Sequence, residues 1–512
     1  MAKSYIGIDL GTTFSAVATL DDTGRPKIVH NRAGANITPS VVCISEDGTP
    51  EVGEEARRSL CLDPNTLGRF KRDMGTDSTY EAWGRSYTPT ELSTFVLEKL
   101  RSDAAMALGD LGQAVVTIPA NFSHDARDAT MSAARSAGLD VAYIINEPTA
   151  AALYYAYTSG QDLAGNYAVY DLGGGTFDIS VIRMSGQDVD VLATNGVSKL
   201  GGDDFDQILM DLVHRKFKET TGEDLEPEDF TKNDAEMEKK SLSRRDKVTL
   251  RVARKIIEVT RAEFEEAISS LITQTEMLCE ATIDEAELEL EDIQGVFLVG
   301  GSTRVPMVQR SVEQVFGMTP EASANVDEVV ALGAGLYAAY KSDGKELNRV
   351  QEEALKSIKV SEATSKCFGT LSVGQGITGD WTKQNTVLIR KGAKIPCSVT
   401  ESFYTVSAGQ TEVECEVTES SSAETDPRFV KVVWQGSLEL PEDREANQEI
   451  KVTYAYDENQ IMQCSFVDVA TGRETQVKLS QSGDDRVTAD YEQVATDGPK
   501  PDTDFIKEFL VD

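Results

Sequence analysis

The stretch IGIDLGTTFS, Ile6 to Ser15, decides how the rest of the chain is read. Apolar runs flank it, Tyr5–Ile8 and Ala16–Leu20, and both have the composition of short strands. Between them lie Asp9, Gly11, Thr12 and Thr13. A glycine at a hairpin tip lets backbone amides come close to an anion. The two threonines add hydroxyl donors, and Asp9 supplies a carboxylate suited to a hydrated Mg²⁺. One such turn is a common feature. Here Asp171–Asp178, DLGGGTFD, repeats it between the strands Tyr167–Tyr170 and Ile179–Ile182, with Gly173, Gly174, Gly175 and Thr176 at the tip. Two strand–Asp-Leu-Gly–strand hairpins read as an internal duplication that grips a polyphosphate from two sides.

Composition bounds the reading. The chain has 512 residues, enough for three or four structural units. Fifty lysines and arginines stand against 86 acidic residues, a formal charge of −36, which argues against nucleic acid or an anionic membrane as main partner. The seven cysteines are scattered without a CxxC pair and read as reduced cytosolic thiols. His30, His124 and His214 lie far apart, which disfavours a histidine metal site or triad. The N-terminus lacks the apolar core of a signal peptide, and no stretch is long and apolar enough to cross a bilayer, so a cytoplasmic protein is expected.

Along the first part of the chain strands alternate with helices, the pattern of an α/β fold with ligand loops at strand ends. Thr90 is placed as the cap of a helix carrying Leu92, Phe95, Val96 and Leu100, and Ser123 as the start of another. Lys218 to Asn233 reads as a loop. Residues 1–340 form this portion, 341–366 a polar linker, 367–484 an all-β module of alternating residues, and 485–512 an acidic C-terminal tail. No GxxxxGK[ST] loop occurs. Gly374–Gly379 fits GxGxxG, but strand-forming residues follow it rather than a helix, so it reads as a strand connection.

IGIDLGTTFS, INEPTAAAL (Ile145–Leu153), VYDLGGGTFDISV (Val169–Val181), LGGDDFD (Leu200–Asp206) and LVGGSTRVPMVQ (Leu298–Gln309) together resemble the nucleotide-binding domain of the seventy-kilodalton heat-shock chaperone family, DnaK-like. The resemblance runs from Ile6 to Tyr340 and more weakly to Leu479. It implies an actin-like ATPase domain of duplicated ribonuclease H-like fold, with lobe I over about 1–165 and lobe II over about 166–340. A linker and a β-sandwich that binds unfolded or extended peptides would follow. It implies ATP or ADP with Mg²⁺ as cofactors, Asp9 and Asp171 toward the metal, and a K⁺ site near Asp9 and Asp178. Lys71 matches the family's catalytic lysine, and Glu147, Asp171, Thr176 and Asp178 fall in its hydrolytic set. Gly11, Thr12, Thr13, Gly173, Gly174, Gly175, Gly201 and Gly202 match its phosphate-side residues. Glu236, Lys239, Lys240 and Ser243 match its adenosine-contacting helix and share one face at helical spacing. Gly300, Gly301, Ser302, Arg304 and Asp327 complete that pocket, with Arg304 able to stack on a purine. Pro119 and Arg127 match its interdomain relay.

The expected activity is slow ATP hydrolysis coupled to peptide binding. The alternative left open is an ATP-binding regulatory or scaffold subunit with little cycling. The departures bear on partners. The segments from Lys71 to Tyr87 and from Lys218 to Asn233 are short, where nucleotide-exchange factors grip the family. Tyr143 stands where members carry an arginine that contacts J-domain co-chaperones. Ile358-Lys359-Val360-Ser361-Glu362 matches a linker that is nearly all leucine in the family. The helical lid that normally follows the last strand is expected to be missing.

Overall fold

A computed structural model describes residues 3–159, 163–322, 325–342, 344–356, 358–375, 381–457 and 461–479. The chain divides into two compact units, the first ending at Val360 and the second starting at Ser361. Among the described residues no helix is long and apolar enough to cross a membrane.

The first unit holds two sheets built on the same plan. In the first, the order is Val141–Asn146, Leu111–Ile118, Ser4–Asp9, Phe14–Leu20, Pro26–Val29. In the second, Glu321–Ala322, Ile293–Val299, Ala164–Leu172, Phe177–Ser185 and Asp188–Val197 follow one another. Each sheet has an antiparallel hairpin at its centre and a parallel neighbour on the first strand of that hairpin. Their central strands are largely buried, which is why apolar residues predominate in them. Each sheet has its own core. Ile6, Ile8, Val96, Leu97 and Val116 lie in one, and Tyr170, Phe177, Phe205, Phe264 and Leu298 in the other.

Local rules set the helix ends, with one correction. The helix Pro89–Leu108 is capped by Thr88, not Thr90: Thr88 accepts from the Glu91 amide while Glu91 reaches back to the Thr88 amide, and Pro89 takes the first helical position. Ser123 caps His124–Ser136, and Thr260 caps Arg261–Glu285. The stretch read as a loop from Lys218 is helical at both ends. Gly202–Thr221 runs on to Gly222, which ends it at φ 77°, and Lys232–Leu242 begins two residues before Asp234.

Two boundaries move. The helix Val329–Lys341 follows the second sheet in the chain but packs on the first: Ala331 and Leu332 share a cluster with Ala16, Ala18 and Ile28. Residues assigned to lobe II up to 340 therefore return to the first half. The stretch 341–366 is not a plain linker either. Arg349–Leu355 is a helix capped by Asn348, and the side chains of Asn348 and Gln351 donate to the carbonyls of Asp22 and Asp21.

The second unit contains two four-stranded antiparallel sheets, one of Trp381–Ile389, Cys367–Gln375, Glu412–Ser420 and Lys431–Glu439, the other of Cys397–Tyr404, Glu449–Tyr456, Met462–Asp468 and Glu474–Leu479. Phe368, Leu388, Val417 and Leu438 from the first meet Val452, Tyr454, Met462 and Phe466 from the second in one core. Gly374 and Gln375, read as the start of a strand connection, are the last two residues of the strand Cys367–Gln375, while residues 376–380 and the acidic tail lie outside the described residues.

Candidate functional site

Four acidic side chains and one lysine come together between the two hairpins. Asp9 is the last residue of its strand, and the Thr117 hydroxyl donates to its Oδ1 at 3.2 Å. Asp171 and Asp178 are directly opposed partners in the second hairpin, both buried. The Asn121 amide donates to Asp178 Oδ1 at 3.3 Å, and Arg127 holds that turn by donating to the carbonyls of Ala120 and Phe122. Glu147 begins the helix Glu147–Thr158, with Pro148 in its first turn. Its Oε1 lies 2.5 Å from Nζ of Lys71, and Lys71 is only 3% exposed. A lysine that sequence alone would leave on the surface is thus fully enclosed.

The electrostatics follow from this crowding. Burial, then the charge of Glu147, raise Asp9 to about 7. Burial and Glu147 likewise raise Asp178 to about 8, and Asp171 is pushed well above the ordinary range by burial and by Glu147, Asp178 and Asp9. Lys71 pulls all three down. One cation set among four acids leaves the site short of positive charge, which fits a bound divalent metal. Among the described residues no three His, Cys, Asp or Glu side chains are grouped closely enough to hold a metal ion by themselves.

The tips differ from expectation in one respect. The Gly11 amide donates to Ser15 Oγ at 3.2 Å, and the Gly173 amide to the Thr176 carbonyl at 3.1 Å, so neither is free to hold an anion. The Gly201 amide goes to Asp204 Oδ2 and that of Gly202 to the Gly173 carbonyl. These glycines serve close approach instead. A Cβ on Gly174 would lie 1.9 Å from Thr13 Oγ1, so the two tips touch there. A Cβ on Gly201 would lie 2.7 Å from the Gly174 carbonyl carbon, which lets the helix Gly202–Thr221 press its N-terminus onto the second tip. Of the other tip residues, Thr13 and Gly174 are partly exposed, and Thr12, Gly175 and Thr176 are buried.

On the helix Lys232–Leu242 and its cap Ser243, the polar atoms of all four expected adenosine contacts are bonded within the protein. Lys239 Nζ donates to the Gly202 carbonyl and pairs with Asp206, each at 2.7 Å, and Ser243 Oγ donates to the Lys239 carbonyl at 3.1 Å. Glu236 pairs with Lys240 at 2.5 Å and takes both oxygens to Arg57 Nη2 at 3.1 Å. Arg57 also lies over the Phe14 ring, 4.6 Å from its centre. Gly300 and the turn Gly301–Arg304 lie alongside: Ser302 Oγ donates to the Gly173 carbonyl at 2.8 Å, and Arg304 pairs with Asp327 at 2.5 Å. Arg304 and Lys240 remain about half exposed along their side chains.

Reasoning from sequence missed Arg57, Thr117 and Asn121. None carries a local signal, because each acts on a partner from 57 to 179 residues away. The ammonium of Lys341 lies over the ring of Tyr143 at 5.4 Å. A comparison with protein families finds a match to the model described as Hsp70 protein, over residues 5–82 and 76–503. With most of its length matched in this way, the chain belongs to the Hsp70 family.

Proposed function

We propose that this protein is an ATP-hydrolysing chaperone of the heat shock protein 70 type, with an actin-like two-lobed nucleotide domain and a β-sandwich that takes extended polypeptide. The observation that supports this most strongly is the meeting of Asp9, Glu147, Asp171 and Asp178 with a buried Lys71 between two glycine-tipped hairpins. Phosphoryl transfer to water asks the protein chiefly for positioning and charge neutralisation, and this set supplies both. Magnesium, when bound with the nucleotide, neutralises phosphate charge, and Asp9 and Asp171 are the residues that would hold it. Lys71 faces the transferred phosphoryl group, and Glu147 fixes its ammonium. Thr176 and Asp178 orient the attacking water. Thr12, Thr13, Gly174 and Gly175 would bind the phosphates and Glu236, Lys240 and Arg304 the nucleoside, and Asp9 and Asp178 are the residues that would hold a K⁺ ion.

The second unit offers strand-edge hydrogen bonds and apolar side chains, among them the half-exposed Tyr404 and Val406, for a peptide in extended form. A J-domain co-chaperone and a nucleotide-exchange factor are the expected partners. ATPase measurement with and without an unfolded peptide tests the reading. Stimulation by peptide, together with Lys71→Ala that binds ATP but loses turnover, is the expected result. ATP binding with no turnover and no ATP-dependent change in peptide affinity would replace it with the scaffold alternative.

A further inference from the structure

Lys71 sits on a short 3-10 turn, Phe70–Asp73, with Arg69 just before it and Arg72 on it, and the three side chains find partners in different halves of the unit. Lys71 points to Glu147 in the first half of the unit. Arg69 and Arg72 reach the start of the helix Gly202–Thr221 in the second half. Arg69 Nε pairs with Asp203 Oδ1, Arg72 Nη1 lies 3.0 Å from Asp203 Oδ2, and Arg72 Nη2 takes both oxygens of Asp204 at 3.0 and 2.9 Å. Lys232 adds a third cation to Asp203 at 2.8 Å. Beside them Lys199 crosses to Asp73, on the same turn, at 3.0 Å.

Asp203 is 4% exposed, and Arg72 is nearly enclosed, so these are not surface pairs of negligible worth. Arg69 itself is held at φ 66°, a left-handed conformation that a side-chain-bearing residue rarely takes. Burial and the charge of Arg69 lower Lys232 to about 8, as crowding of three cations on one carboxylate requires. The turn also touches the second tip, since Arg72 Cγ lies 3.0 Å from where a Cβ on Gly175 would stand.

We infer that Arg69, Arg72 and Asp203 form a latch that holds the two halves closed over the nucleotide and sets the position of Lys71 for hydrolysis. This rests on the nucleotide reading above and deepens it. Opening the gap far enough to release nucleotide separates Arg69 and Arg72 from Asp203, and it carries the Lys71 turn with one side or the other. Retention and lysine placement are then one event. Arg69, Arg72 and Asp203 are positioning residues, since they act through Lys71 and through closure.

The test uses the full-length protein loaded with a fluorescent ADP analogue, its release followed by stopped flow, beside single-turnover hydrolysis of ATP. Asp203→Asn is expected to speed release about thirtyfold and to slow hydrolysis, because removing one member of an enclosed charge cluster acts chiefly on dissociation. Asp203→Glu, which restores the charge, recovers both rates, a pattern that simple loss of packing would not give. Lys247→Gln, which removes an exposed ion pair with Glu258, leaves both rates unchanged. Arg69→Gln, which removes one cation and keeps the carboxylate, moves both rates in the same direction and provides the test should Asp203→Asn not fold. A folded Asp203→Asn or Arg69→Gln protein that binds nucleotide and releases it as slowly as wild type overturns the latch. Failure of the wild type to bind the analogue at all overturns the nucleotide reading itself, a separate result.

Discussion

Replacing Asp178 by asparagine should stabilise the nucleotide-free protein while destroying its turnover. Asp178 is 1% exposed, and its pKa stands at about 8 against an ordinary 3.8, through burial and the charge of Glu147. The folded value lies above the unfolded one. The contribution of this carboxyl to stability is therefore complete below about pH 4 and is lost as pH rises toward about 8. At neutral pH the loss amounts to about 4 kcal/mol if the shift is realised in full. Asparagine escapes this charge penalty, and its side-chain oxygen can still accept from the Asn121 amide. It remains a buried polar group, which offsets part of the gain, so the net stabilisation near neutrality is about 1–3 kcal/mol. That corresponds to a rise in Tm of about 2–6 °C. Calorimetric melts of both proteins in chelator, at about pH 5.5 and about pH 7.5, measure it, and the gap should widen by about 1.4 kcal/mol per pH unit. A variant no more stable than wild type at the higher pH, or a gap independent of pH, would refute the idea that burial and the charge of Glu147 hold this carboxyl protonated.

Further outcomes follow from the same geometry. Gly174→Ala puts a methyl group against Thr13 and forces the tips apart, so ATP affinity should fall about tenfold or more with little change in circular dichroism. Unchanged affinity by calorimetry would mean the tips do not act together. Lys71→Ala should leave ATP bound yet lower single-turnover hydrolysis by about a hundredfold or more. It also strips Glu147 of its partner, and the Tm should drop in chelator and recover in part with Mg²⁺ and ATP. Lys341 sits over the rings of Tyr143, Tyr337 and Tyr340 at 5.4 to 5.8 Å. Tyr143→Phe should keep stability and Tyr143→Arg should lower it by about 1 kcal/mol, read in thermal melts. Equal melts for both would argue against the cation–ring contact.

What could be read from the sequence was what repeats or what is local. The paired hairpins were legible because Asp9 and Asp171 each end an apolar run before glycine, and the chain writes that twice. Caps were legible to within two residues. Thr88 and Thr90 both qualified, and only the reach of Glu91 back to the Thr88 amide separates them. The return of Val329–Lys341 to the first sheet was hidden, because an apolar helix fits either core equally well. The internal use of the Gly11, Gly173 and Lys239 donors was hidden too, since motif spacing says which residues gather but not which atoms are already bonded. Lys71 was legible only through family likeness. Its burial depends on Glu147, 76 residues on, and its turn is tied down by Asp203, 131 residues beyond Arg72.

Direct titration of ATP into the wild-type protein, with and without magnesium, bears most closely on the central claim that a metal-bound triphosphate lies between the two hairpins. One ATP should bind per chain, with affinity falling when magnesium is withdrawn and falling again for Asp9→Asn. Absence of ATP binding in magnesium by a correctly folded protein, or binding indifferent to both the metal and Asp9, would contradict it.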